Sequence, residues 1–346
     1  MEIFEDYSFD FYDYNYTDGF NDTPHEETVF THQSSCLMEA LCVALLVINV
    51  FIFLLGFCGN ALVIWISGFK MKKTVTTTWY LSLAISDFVF CAFLPFSITN
   101  MVMEEWIFGR FMCKFVSSVM FLNMFSSIFL LVVISVDRCV SVVFPVWAQN
   151  QRTVNKASVI VVFAWVLAIA MSFPSVIFRE VDTYFDRTIC YNNYTWDSHK
   201  TVAASRFLAG FIVPFIIIII CYSIIILRLR NNRLMAKSSK PFKVMTALVA
   251  TFFICWLPYH VFVLLELNVE NLHDHHGLLI TGLKVGTSLA AANSFLNPVL
   301  YVFMGKQEFK SSVLSKMVNA MEEEGRTTSR YLSRSSSMDT RASTHI

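Results

Sequence analysis

Residues 113–145 read CKFVSSVMFLNMFSSIFLLVVISVDRCVSVVFP. About 23 mostly apolar residues separate Cys113 from the pair Asp137-Arg138, and about 20 such residues in an α-helix cover the ~30 Å of hydrocarbon in a bilayer. The stretch therefore reads as one long helix with Cys113 at one membrane interface and Arg138 at the other. An arginine at that depth is costly unless it reaches water or a partner, and Asp137 offers a charge-assisted one. Such a pair can hold one state closed and release another. The alternative is that Arg138 only extends toward the headgroups, as basic residues at helix ends do.

The whole chain has this character. Of 346 residues, 55% are hydrophobic and 15% charged, too apolar a balance for a soluble globular protein. Seven apolar runs, at about 37–67, 75–101, 111–136, 157–178, 202–227, 244–268 and 278–304, are each long enough to span as a helix. No ten-residue alternation recurs, which argues against a β-barrel. The expected fold is an all-α membrane protein, a seven-transmembrane helix bundle with a short amphipathic eighth helix. Its parts are an acidic tail over 1–36, the bundle over 37–304, a membrane-surface helix over 305–320 and a Ser/Thr-rich tail over 321–346. A transporter would need an ionisable path and usually shows internal repeats; neither is visible. Nucleic acid is not an expected partner.

Basic residues set the orientation. Lys70, Lys72 and Lys73 follow the first run, Arg152 and Lys156 the third, and Arg228, Arg230, Arg233, Lys237, Lys240 and Lys243 the fifth. The positive-inside rule makes these loops cytoplasmic. The first 36 residues carry Glu2, Glu5, Asp6, Asp10, Asp13, Asp18, Asp22, Glu26 and Glu27 with no lysine or arginine, so this tail is expected outside, at the plasma membrane, and the C-terminus inside. No basic segment precedes the first run, which is expected to act as an uncleaved signal anchor. Sequons at Asn15, Asn21 and Asn193 all fall on the exterior side of this topology. The tail's carboxylates and tyrosines can steer a basic ligand; the bland alternative is a solvated, glycosylated tail.

Inside the spans the polar residues stand out. Asp87, in mid-membrane, is a functional-site candidate by its position alone. Asn123 and Ser127, one turn apart on the third span, and Asn293 and Asn297 on the seventh are its natural partners. That set suits a small hard cation such as sodium; a structural network around a protonated Asp87 is the alternative. Asn60 beside Gly56 and Gly59 asks for a partner across a close helix contact. Pro95, Pro174, Pro214, Pro258 and Pro298 free backbone carbonyls and make hinges. Trp256, just before Pro258, is placed to sense a ligand, with Phe252 one turn below it.

Of nine cysteines, Cys36, Cys113 and Cys190 lie outside, where oxidation is permitted. A Cys113 to Cys190 bridge would fold the second outer loop across the bundle mouth, leaving Cys36 over. The six in spans read as small core residues. Arg206, eight residues before Pro214, and Glu266, eight residues after Pro258, stand about 12 Å above their prolines, in the outer third of the bundle. They can form a salt bridge, or Arg206 can receive a carboxylate, with Lys284 adding positive potential. The C-terminal Thr327, Thr328, Ser329, Ser333, Ser335, Ser336, Ser337, Thr340, Ser343 and Thr344 lie among arginines in good kinase context, and each phosphate would add about −1.5 to −2 charge.

Asn60, Asp87, Asp137-Arg138-Cys139, Trp165, Pro214, Cys255-Trp256-Leu257-Pro258 and Asn297-Pro298-Val299-Leu300-Tyr301 occur in order, one set per span. Together they resemble the rhodopsin-like G protein-coupled receptors over about 37–315. Trp106-Ile107-Phe108-Gly109, Asp137-Arg138-Cys139-Val140-Ser141-Val142 and Pro145-Val146-Trp147-Ala148-Gln149-Asn150 narrow the resemblance to chemoattractant receptors. The resemblance implies that Arg138 leaves Asp137 on activation, that Tyr222 and Tyr301 swing toward it, and that a G protein helix enters the opened cavity. It implies no catalysis, no cofactor beyond an allosteric sodium ion, and a peptide or small-protein chemoattractant as ligand. The expected partners inside are an inhibitory-type G protein, receptor kinases and arrestin, with membrane lipid under 305–320. Formyl peptide receptors carry an acidic residue on the third span where Met120 and Phe121 stand here; a formyl-peptide or lipid-mediator ligand is the alternative. Met120 also stands where amine receptors place aspartate, and Ala291 where opsins need lysine, which sets both ligand classes aside.

Overall fold

A computed structural model describes residues 40–184, 187–231, 240–267 and 276–304. The chain order is α1 (Ala40–Trp65), α2 (Val75–Met103), α3 (Gly109–Val143), α4 (Pro145–Gln151), α5 (Val154–Phe178), β1 (Arg179–Tyr184), β2 (Arg187–Asn192), α6 (Trp196–Phe207), α7 (Val213–Asn231), α8 (Lys240–Glu266) and α9 (His276–Met304). A π-helical turn, Leu208–Ile212, joins α6 to α7 into a single rod, and another, Ile66–Lys70, ends α1. Pro214 lies two residues beyond Ile212, where the Leu208–Ile212 turn ends. Its missing N–H leaves the preceding turn free to widen.

Six of these helical rods are long and apolar enough to cross a membrane. The 29-residue α9 is the seventh of the bundle by packing, running beside α8 and α1. Its sequence is less apolar because Ser288, Asn293, Ser294 and Asn297 turn inward and are buried. The exterior is inside-out relative to a soluble protein: Phe51, Val159, Phe163, Ile169, Ile220 and Ile254 are exposed, as lipid-facing positions should be. Lipid gives helices no hydrophobic reason to associate, so close packing and interhelical hydrogen bonds must hold them. At Gly286 a Cβ would come within 2.9 Å of the Tyr259 backbone nitrogen, so α8 and α9 touch there backbone to backbone, beside Pro258.

The 35-residue α3 is the central post. In it 67% of the most apolar stretch is buried, against 22% in α5, and it packs on α2, α5, α7 and β1. It runs past the apolar stretch to Val143 because Asp137, Arg138 and Ser141 keep helical geometry; Ser141 donates to the Asp137 carbonyl. Pro145 then opens the short α4, unforeseen from hydropathy. Also unforeseen is the antiparallel hairpin β1–β2, pairing Arg179 with Asn192 and Val181 with Cys190.

The expected Cys113–Cys190 disulfide is present, with Cα atoms 5.7 Å apart. Trp106 donates its backbone N–H to Thr188 and its indole N–H to the Gly109 carbonyl, and Gly109 takes φ +72° to start α3. Glu180 receives Arg110 at 2.6 Å and Lys114 at 3.0 Å. Burial raises the Glu180 pKa, but hydrogen bonds and charge from Arg110 and Lys114 outweigh it and hold the carboxyl below its ordinary range. One reading needs correction. Cys42 is not a free core thiol but disulfide-bonded, with a partner outside the described residues. The tail with Cys36, Asn15 and Asn21, the proposed eighth helix and all ten C-terminal phosphorylation candidates also lie outside them.

Candidate functional site

Three polar constellations line the bundle from one end to the other. At the centre, Asp87 is fully buried and accepts from Asn123 at 2.9 Å and Asn297 at 2.7 Å. Asn123 also donates to Ser86, and Ser294 donates to the Asn123 side-chain Oδ1 at 3.2 Å. Asn60 finds its partner in the Ser294 carbonyl, at 2.8 Å. Ser127 and Asn293 are buried nearby in chain position, yet Ser127 Oγ and Asn293 Oδ1 accept nothing. Of the five residues expected to act together, three are hydrogen-bonded to one another and two present oxygens with open lone pairs. Ser86, Ser126, which shares a hydrogen bond with Ser86 at 2.5 Å, and Ser294 were missed; Ser294, three residues before Asn297, shares its helix face and was findable by period.

At the Arg138 end, Asp137 is held mainly by a residue that sequence reading treated only as a topological charge. Arg152 donates to both Asp137 oxygens, at 2.7 and 2.8 Å. Arg138 stands 3.5 Å from Asp137 and donates to Thr76 Oγ1 at 2.7 Å. Tyr222 is hydrogen-bonded to Thr246 of α8. The side chain of Tyr301 lies outside the described residues. Midway, Trp256 and Phe252 are buried and stacked with centroids 6.0 Å apart, and the Trp256 indole N–H has no partner.

At the hairpin end is a cavity of about 140 Å³. Met120, Phe121 and Lys284, all singled out from sequence, line it, together with Tyr259 and two hairpin residues, Arg179 and Cys190. Arg179 was missed; it is buried and donates to the Cys190 carbonyl at 3.0 Å. Arg206 is not on that wall. Its guanidinium carbon lies 3.5 Å from the centroid of the Phe121 ring, so Phe121 separates it from the cavity. Arg206 is 8% exposed, donates to Ser175 at 3.1 Å, and leaves Nε without a partner. Among the described residues no carboxylate is ion-paired with Arg206, so the salt bridge to Glu266 is not formed. Glu266 ends α8, half-buried. Around Arg206 gather the buried His260 and His199, the latter stacked on Tyr194, and the His260 Nε2 and Tyr194 hydroxyl also lack partners. Asn193 of the third sequon is exposed, while Thr195 caps α6 through Ser198.

A bundle of membrane-length helices with a carboxylate at its centre, two arginines on one aspartate at one end and a cavity under a disulfide-bonded hairpin at the other has the architecture of a transmembrane receptor. The chain belongs to the 7 transmembrane receptor (rhodopsin family), whose pattern matches residues 59–301. It is 41% identical to Chemerin-like receptor 1 of Sus scrofa over 93% of this chain and 92% of that one. Against Chemerin-like receptor 1 of Rattus norvegicus the identity is 44%, over 82% and 81% of the two chains. Formyl peptide receptor-related sequence 6 of Mus musculus is 40% identical over 86% and 90%. The protein is therefore a G protein-coupled receptor of the chemoattractant type and not an enzyme.

Proposed function

We propose that the protein is the receptor of a chemerin-like peptide or small protein, that it signals through an inhibitory-type G protein, and that receptor kinases and arrestin then act on its C-terminal tail. The observation that carries the ligand reading is Arg206: a buried guanidinium with an idle donor and no carboxylate partner among the described residues. A buried cation left without a counter-charge is unfavourable, and a ligand's free C-terminal carboxylate would supply one in the bidentate geometry that arginine favours. The likeness to two chemerin-like receptors over most of the chain supports the same ligand class. A formyl peptide, also a free acid, is the second reading, favoured by the mouse formyl peptide receptor-related relative.

To reach Arg206 the carboxylate must displace the Phe121 ring that covers it. Phe121 lies 6.3 Å from Tyr259, which meets Trp256 edge-on at 5.8 Å. Displacement of Phe121 therefore bears on Trp256 and, through its stacked Phe252, on the half of α8 beyond Pro258. The ligand shifts the population only as far as it binds the opened state better. Opening carries Arg138 from Thr76 and Asp137 and makes room for the G protein. Asp87, Asn123, Ser127, Asn293 and Asn297 would hold a sodium ion, whose charge would balance the buried carboxylate in the resting state; the open lone pairs of Ser127 and Asn293 suit it. The N-terminal tail is outside in this reading, and Asn15, Asn21 and Asn193 carry glycans.

The test is to express the receptor in cells and apply the C-terminal peptide of chemerin and, separately, a formyl peptide. A fall in stimulated cyclic AMP that is abolished by pertussis toxin is expected for the first. No response to the chemerin peptide, with the receptor at the surface, overturns the ligand assignment.

A further inference from the structure

Two guanidinium groups compete for one carboxylate and one hydroxyl at the Arg138 end. Arg152 grips Asp137 as a fork, Nε on Oδ1 at 2.7 Å and Nη2 on Oδ2 at 2.8 Å, and its Nη2 also reaches Thr76 Oγ1 at 3.1 Å. Arg138 reaches the same carboxylate only at 3.5 Å, leans on the same Thr76, and leaves its buried Nε unsatisfied. Arg152 lies between α4 and α5, so its fork ties that connection to α3.

We propose that Arg152 is a positioning residue that outcompetes Arg138 for Asp137, keeps Arg138 loosely held, and thereby sets how readily this end of the bundle opens. The reason is electrostatic. Parallel donors on both carboxylate oxygens are the strongest arrangement available to the pair, and a second cation beside Arg138 repels it. When Arg138 departs, Asp137 keeps its partner and no half-buried charge is stranded. Without Arg152, Arg138 inherits both oxygens, and opening must strand Asp137, which is unfavourable. The switch is then an exchange of partners rather than the rupture of an isolated pair. This reverses the usual expectation for deletion of a cytoplasmic anchor, which loosens a closed state.

The experiment uses the full chain in lipid nanodiscs without agonist. Amide hydrogen exchange over 244–252 in α8 reads opening directly, and nucleotide exchange on added inhibitory-type G protein reads its consequence; only the second readout rests on the proposed coupling. Arg152→Gln is expected to slow the amide exchange and to lower agonist-free nucleotide exchange by about five-fold or more. In an Asp137→Asn background, where only the repulsion of Arg138 and the shared Thr76 remain, the same substitution is expected to have a much smaller effect, a dependence that a merely structural anchor would not show. Arg152→Lys keeps the charge but not the fork and is expected to shift both readouts in the same direction by less; it decides the matter if the Gln variant fails to fold. Faster or unchanged opening in Arg152→Gln, or an equal effect in both backgrounds, overturns the proposal. A wild-type receptor that activates no G protein defeats the coupling assignment, while the amide exchange still judges Arg152.

Discussion

Arg206→Ala separates what this arginine does for the receptor from what it does for the ligand. In the free receptor the substitution removes one hydrogen bond to Ser175, worth about 0.5–1.5 kcal/mol, and the stacking on Phe121, worth about 2 kcal/mol when desolvated. It also removes a buried cation that has no carboxylate among the described residues, and that relief opposes both losses. Thermal stability should therefore move little. In the complex the same change strips a desolvated partner from the ligand's carboxylate, at a cost of about 2–4 kcal/mol, or roughly 30- to 900-fold in Kd. The C-terminal amide of the same peptide brings no charge to the site and should lose only about 1 kcal/mol, a neutral hydrogen bond's worth. Competition binding on membranes with the free-acid and amide forms of the chemerin peptide, against wild type and Arg206→Ala, gives both numbers. Equal losses for acid and amide would refute carboxylate recognition at Arg206.

Asp87→Asn should abolish the effect of sodium on agonist affinity, because an amide cannot balance the ion's charge; a titration of agonist binding against sodium chloride that matches wild type would favour a purely structural network. Gly286→Ala pushes a methyl group against the Tyr259 backbone and should cost about 1–3 kcal/mol, read as a lower melting temperature in nanodiscs; unchanged melting would mean that α8 and α9 separate freely there. Because the Glu180 pKa is lowered on folding, its contribution to hairpin stability is full above the unfolded carboxylate value and is lost as pH falls through the lower folded value. Amide protection of 187–192 should accordingly fall on acidification below about pH 4.5, and less so in Glu180→Gln.

The spans were legible because a helix crossing lipid must be apolar over a known length, a constraint strong enough to survive the loss of hydropathy in α9. The central cluster was legible for a related reason: Asp87 and Asn297 have no cheap place in hydrocarbon unless they meet. What escaped was non-local or short. Arg152 sits 15 residues beyond Asp137, across the break at Pro145, and a basic residue after a span has an adequate explanation in topology alone. The hairpin strands are six residues each, too brief for alternation to separate them from loop. Arg206 was singled out by its distance from Pro214, but only the packing reveals that Phe121 stacks on it and that it makes no ion pair with Glu266.

The hairpin has a consequence for the rate at which a ligand arrives. It is fastened by the Cys113–Cys190 disulfide, by Glu180 to Arg110 and Lys114, by Trp106 to Thr188 and by Arg187 to Glu104, so it behaves as a rigid eave rather than a lid. No ordering of the hairpin strands has to accompany binding, which removes one of the usual entropic costs. For a ligand of the proposed kind, selection would fall instead on cross-section, with a slender chain end passing beside the eave and a folded body staying outside it. Ligands that share a tip but differ in bulk should then differ in how fast they find the opening, and much less in how long the tip remains once seated.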